Sequence, residues 1–263
     1  MKCLLYCIIR NQGRPEPEAM TGVGGRPVFL ITYGKLAAVV AEVNRSDLAP
    51  WSLQVPIYQR VIESFHRDFP AIPVRFGSLF HDRSQVRQQL TIHCDRYDNL
   101  LRELEGCVEM GIRILLPQSL SGSAAGRSVE APSSCFDTSP PSGSNYLMAQ
   151  KAQYDQNRLS LEVNKPAVAQ CLAMLEGLYV KYRVEMPFSG VPSSVSLFGA
   201  PMISLYFLVR RESVERFRER FRSIKVDETR KLLLSGPWPP YNFVLPDTVS
   251  EITGVRAEKT YGF

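Results

Sequence analysis

Val108-Glu109-Met110-Gly111-Ile112-Arg113-Ile114 trades apolar for other residues at every second position, the period of a half-buried strand. It opens the second half of a 263-residue chain, and the pattern that follows it sets the fold. Tyr146 to Glu162 has a helical period, and Asn164 with Pro166 restarts one bearing Val168, Cys171, Leu172 and Leu175. Leu178 to Glu185 alternates again, and Met202 to Val209 is apolar on both faces, as a central strand is. Val214, Phe217, Phe221 and Ile224 stripe a short charged helix, and Arg230 to Leu234 supplies the last strand. The order is β-α-β-β-α-β, the ferredoxin-like split βαβ arrangement. Its usual outcome is an antiparallel sheet with both helices on one face. We expect it over 107–235, broken at 117–142 by a Ser-, Pro-, Gly- and Ala-rich insertion with too few large apolar residues to order itself.

The first half reads as a second mixed α/β module over 1–106, which makes the whole an α+β protein. It opens with a strand at 2–9, where Cys3 and Cys7 fall four apart and so on one face. A Gly- and Pro-rich loop leads to a hairpin, Val28–Thr32 and Leu36–Val43, turning at Tyr33-Gly34-Lys35. A helix follows with Val55, Tyr58, Ile62, Phe65 and Phe69 on one stripe, Pro56 sitting in its first turn. The short strand Ile72–Phe76 comes next. Asp82 with Gln85 reads as a capping box for one helix bearing Val86, Leu90, Cys94, Tyr97, Leu101 and Leu104, stopped by Gly106.

Beyond Leu234 the chain changes character. Three prolines and three aromatics crowd Gly236-Pro237-Trp238-Pro239-Pro240-Tyr241-Asn242-Phe243. Proline removes a backbone donor and fixes φ, and it pushes its predecessor toward extended backbone. That forbids helix and makes a poor sheet strand. The expectation is a tail over 236–263 whose stiff ribbon, 236–244, leaves the second module and packs its three rings on the first. A free arm that captures a partner is the rival reading.

Composition narrows the function more than it names it. An apolar fraction of 44% is that of an ordinary globular protein, and no apolar run is long enough to cross a membrane. Residues 1–10 have a short apolar core and no small-residue cleavage site, so they read as a strand in a cytoplasmic protein. The net charge of +5 is mild and mixed along the chain, which gives no nucleic-acid footprint. The six cysteines form no C-x-x-C pair and are expected reduced.

No catalytic or metal constellation emerges. The histidines are His66, His81 and His93, none in a ligand spacing. His66 falls on the polar side of its helix and His81 abuts a helix start, which suits solvated or capping roles. Gly22-Val23-Gly24-Gly25-Arg26-Pro27 fails as a phosphate loop, because Pro27 stands where the third glycine belongs and a strand follows. The arginines of 210–222 alternate with Glu212, Glu215 and Glu219, as on a solvated, ion-paired face. Arg75 ends an apolar strand, where a partly buried guanidinium requires a fixed acceptor, a structural role.

Three strings together carry a resemblance: Tyr33-Gly34-Lys35-Leu36-Ala37-Ala38-Val39-Val40, Pro73-Val74-Arg75-Phe76-Gly77, and Gly236-Pro237-Trp238-Pro239-Pro240-Tyr241. With the opening strand, Thr21-Gly22, Leu104-Glu105-Gly106 and Tyr146-Leu147, they cover nearly the whole chain outside 117–142. In these the chain resembles the GvpL/GvpF family of gas vesicle proteins. It departs in its longer insertion and at Tyr58, near a position often filled by histidine. The resemblance implies a non-enzymatic accessory or minor structural protein of gas vesicles, the hollow shells that give prokaryotic cells buoyancy. It implies a location at the vesicle within the cytoplasm, no cofactor, and contact with the shell protein and other accessory proteins. The interaction candidates are Arg75, Phe76 and Gly77, and Gly236, Pro237, Trp238, Pro239, Pro240, Tyr241 and Phe243. The alternative is a small-molecule sensor, since ferredoxin-like sheets often bind effectors, and its mark would be a polar cluster lining an exposed sheet face.

Overall fold

Lys2 to Arg10 is apolar at almost every interior position, and it forms a strand buried on both faces, β1 (Lys2–Arg10). The structure, a computed structural model, describes residues 1–11, 20–115, 165–185, 202–224 and 231–244. β1 is joined by β2 (Val28–Tyr33), β3 (Leu36–Val43), β4 (Ala71–Pro73) and β5 (Leu79–Phe80). The order is β2-β3-β1-β4, with β5 also on β1 and every pair antiparallel. One face packs under α1 (Trp51–Asp68) and the other under α2 (Arg83–Ile92) and α3 (Cys94–Glu103).

Cys3 and Cys7 lie on opposite faces, not on one. Cys3, Leu5 and Ile8 join the core under α2 and α3, while Leu4, Tyr6, Cys7 and Ile9 join the core under α1. The register on β3 slips between Leu5↔Val40 and Cys7↔Val39, a bulge that inserts one residue and inverts the alternation. The expected strand Ile72–Phe76 stops at Pro73. Val74 to Ser78 turns instead, with Gly77 at φ +88°, where a Cβ is disfavoured.

The single helix expected up to Gly106 is two. Asp82 caps α2, its carboxylate accepting from the Gln85 amide at 2.8 Å, and the Gln85 side chain accepts from His81 N–H at 2.6 Å. The helix breaks at His93 (φ −109°, ψ 20°). The break lets Val86 and Leu90 of α2, and Tyr97 and Leu101 of α3, all reach one core over a twisted sheet.

The second sheet holds β6 (Cys107–Leu115), β7 (Lys181–Glu185), β8 (Met202–Arg210) and β9 (Lys231–Trp238) in the antiparallel order β7-β8-β6-β9. β7 starts at Lys181, later than the alternation from Leu178 suggested. The even-numbered residues Val108 to Ile114 of β6 share one core with helical residues 165–174 (α4) and with α5 (Val214–Arg222). The insertion at 117–142, the helix expected from Tyr146 to Glu162 and residues 245–263 lie outside the described residues.

β9 continues four residues past its expected end, through Ser235, Gly236, Pro237 and Trp238. Its register on β6 shifts between Gly111↔Ser235 and Glu109↔Trp238. Gly236 takes φ +108° at that bulge, and a Cβ there would stand 2.7 Å from the Glu109 carbonyl oxygen. A proline is tolerated because β9 is an edge strand, where a missing donor costs no second ladder.

Candidate interaction surface

Four aromatic rings run from the interior of the first sheet to its surface. Tyr6 stacks on Tyr58 with centroids 4.8 Å apart. Tyr58 meets the edge of Phe76 at 5.2 Å, and Phe76 meets Trp51 at 5.3 Å, both near perpendicular. The inner rings are fixed by hydrogen bonds. The Tyr6 hydroxyl accepts from Val23 N–H at 2.9 Å, and a Cβ on Gly22 would lie 2.2 Å from that oxygen, so the turn at 21–22 requires glycine. The Tyr58 hydroxyl faces the carbonyls of Leu5 (2.6 Å), Val74 (2.9 Å) and Arg75 (3.2 Å). Burial pushes the Tyr6 phenol up to about 12 and Tyr58 well above its ordinary value, so both stay protonated at any working pH, and Tyr58 remains a donor.

The outer end is open. Trp51 is 62% exposed at the head of α1, and Leu53 in the same turn is 64% exposed. Large apolar side chains this exposed on an ordered helix mark contact sites when they cluster with other apolar surface, and edge-to-face packing holds the indole in place. Arg75, expected to be partly buried, is exposed. Its carbonyl is what the fold uses, accepting from Tyr58 and, at 2.9 Å, from the Ser78 hydroxyl. Phe76 is the member of the Arg75-Phe76-Gly77 string that touches the surface cluster.

The proline-rich string lies at the seam between the two sheets. Pro239 and Pro240 are buried, and Tyr241 and Phe243 are half-buried. Tyr241 packs against the core that holds Tyr58 and Phe76, and Phe243 with Val244 against the core under α2 and α3. Trp238 does not dock as expected: it sits in β9 and is 45% exposed, and its neighbour Pro237 is exposed as well. Between Tyr241 and Phe243, Asn242 is clasped. Its N–H and side-chain amide donate to the Glu109 carboxylate at 2.8 and 2.6 Å, and its carbonyl accepts from Arg183 at 2.9 Å. Glu109 is 4% exposed, and loss of water raises its pKa while the Asn242 bonds pull the other way.

A second crossing joins α1 to the turn that precedes α5. Arg211 donates to the His66 carbonyl, and His66 is buried, not solvated, with neither ring nitrogen hydrogen-bonded among the described residues. Also among the described residues, no group of three or more His, Cys, Asp or Glu is placed to hold a metal, and no helix is long and apolar enough to cross a membrane. Sequence reasoning passed over Trp51, Leu53, Glu109 and Asn242. Trp51 continues the Val55–Tyr58–Ile62 stripe by one turn, beyond where the sheet can cover it; Leu53, off that stripe, was the available signal.

The profile of the family described as gas vesicle synthesis protein GvpL/GvpF matches residues 2–245. "Gas vesicle protein L" of Streptomyces sp. (strain CB03234) is 25% identical over 263 residues, covering 91% of each chain. "Gas vesicle protein F" of the same organism is 25% identical over 252 residues, covering 93% of this chain and all of its own. Among solved structures, the gas vesicle protein GvpF from Microcystis aeruginosa superposes with a TM-score of 0.67 at 16% identity, over 93% of this chain and 99% of its own. GvpF from Anabaena sp. PCC7120 gives 0.64 at 17% identity, over 93% and 98%. At such identities these structures speak for the mixed α+β fold with antiparallel sheets.

Proposed function

Because the chain belongs to the GvpL/GvpF family of gas vesicle synthesis proteins, we propose that it is a non-enzymatic accessory or minor structural protein of gas vesicle formation. It acts at the vesicle, in the prokaryotic cytoplasm, by binding the strongly hydrophobic shell protein. The observation that carries the binding reading is the exposed Trp51 indole, held edge-on by Phe76. A preorganised tryptophan loses little entropy on docking, which is why such residues dominate interfaces.

The division follows the chain: a module over 1–106, a split βαβ module over 107–235, supported by the antiparallel order β7-β8-β6-β9, and a strap at 239–244 that fixes one against the other. Arg75, Gly77, Gly236 and Pro237 serve by shaping turns and strand ends, Phe76 by supporting the indole.

The test is capture of purified shell protein by the tagged chain. Trp51→Asp is expected to cut capture roughly tenfold or more with the melting temperature unchanged, because the ring is mostly in water. Raising salt is expected to change capture little, since screening acts on exposed charges. Full capture by Trp51→Asp would remove this surface from the mechanism, and collapse of binding at high salt would replace the apolar reading with an electrostatic one.

A further inference from the structure

β7 is an outer strand of the second sheet, in register with β8 from Lys181↔Leu208 to Glu185↔Ser204, and no described residue pairs with its other edge. An open edge offers a row of backbone donors and acceptors to any extended chain that can lie beside it. Beside this one runs a cleft of about 670 Å³ between the two sheets, walled by Arg96, Leu100 and Glu103 of α3, by Lys181 and Arg183, and by Phe243. Its cations outnumber its one carboxylate, and its floor is apolar. The Lys181–Glu103 pair, at 2.6 Å, is half-exposed on both sides, so it exchanges partners at little cost.

Alternation along β7 specifies what fits. Lys181, Arg183 and Glu185 share one face, and Tyr182 and Val184 share the other, with Tyr182 49% exposed. We propose that this edge receives an extended segment of a partner protein as an added antiparallel strand, with carboxylates opposite Lys181 and Arg183 and apolar residues opposite Tyr182 and Val184. Backbone hydrogen bonds supply affinity in such strand addition and alternate side chains supply choice. A second copy of this chain fits less well. Antiparallel pairing of two β7 strands about Arg183 matches Lys181 with Glu185 twice, but it sets the two Arg183 guanidiniums face to face, and like charges directly opposite are unfavourable. The inference is independent of the Trp51 surface.

The probe is a fluorescein-labelled peptide whose core is lysine, valine, glutamate, valine, glutamate, the antiparallel complement of β7. Its control exchanges the charges, and binding to the full chain is read by anisotropy. The complement is expected to bind about tenfold or more tighter than the control, and Lys181→Glu, at a half-exposed position, to shrink that preference severalfold while melting as the wild type does. N-methylation at alternate peptide residues separates strand addition from simple charge contact: one alternate set is expected to abolish binding and the other to spare it. Equal affinity for the two peptides, or indifference to both methylated sets, overturns the proposal. So does a wild-type dimer that the peptide disrupts, since the edge would then serve a second copy.

Discussion

His66 shows how a single residue can be misplaced by its type. It lies four positions after Ile62 and so belongs to the buried stripe of α1, yet an imidazole reads as polar. Arg211, from a distant part of the chain, closes on it by donating to its carbonyl, and no local pattern announces that. Desolvation, with the Arg211 charge second, pulls its pKa from 6.5 down to about 4. The unfolded chain therefore takes up a proton that the folded chain refuses between those values. Stability is whole above about 6.5 and declines as pH falls toward about 4, by on the order of 2 kcal/mol at pH 5. His66→Leu removes the titrating group together with two buried nitrogens that have no hydrogen bond among the described residues. Urea midpoints at pH 7 and pH 5 should lie closer together in that variant than in the wild type, and an unchanged gap would assign the acid sensitivity elsewhere. Arg75 erred in the opposite sense, because the sequence cannot say that its carbonyl, not its guanidinium, is the group the fold uses.

At the scale of elements, the periodic signals were legible and the interruptions were not. The period-two run located β6, the doubly apolar run β8 and the hairpin signal β3, and the i, i+3, i+4 stripes located α1 and α5. The bulge in β1, the break at His93 and the run of β9 through Pro237 were invisible, since each is set by a neighbouring strand or core and not by local composition. The β1 bulge has a side-chain partner in Tyr58, whose hydroxyl sits over the carbonyls of Leu5 and Val74. Tyr58→Phe keeps the stacking on Tyr6 and Phe76 but leaves those buried acceptors without their donor. We expect a loss of about 1–3 kcal/mol, read as a lower denaturant midpoint with an unchanged slope. Tyr58→His, which restores a donor, should recover part of it. A Phe variant as stable as the wild type would mean that the carbonyls find other partners.

The arrangement of the whole molecule depends on contacts that composition hinted at and topology completed. Aromatics packed among prolines signalled a docked strap, and two of the three rings, Tyr241 and Phe243, do pack on the cores of the first sheet. The polar clasp beneath them was hidden, because Glu109 looked like an ordinary outward residue of an alternating strand. Asn242→Ala takes away the side-chain donor and leaves a buried carboxylate short of one bond. That should cost about 1–3 kcal/mol and quicken proteolysis between the sheets, whereas Trp238→Ala, on a half-exposed ring, should do much less. Equal effects from the two would move the seam to β9. The same connectivity governs the order in which the protein can be made. The strand pairs of the first sheet all close within residues 2–80, so that sheet can assemble while translation is under way. Its core nonetheless includes Leu208 and Val244, and β6 waits for β9, well over a hundred residues later. Until the ribosome releases the strap, the nascent chain carries an open apolar floor and an unpaired strand, and that interval is when it most needs shelter from its neighbours.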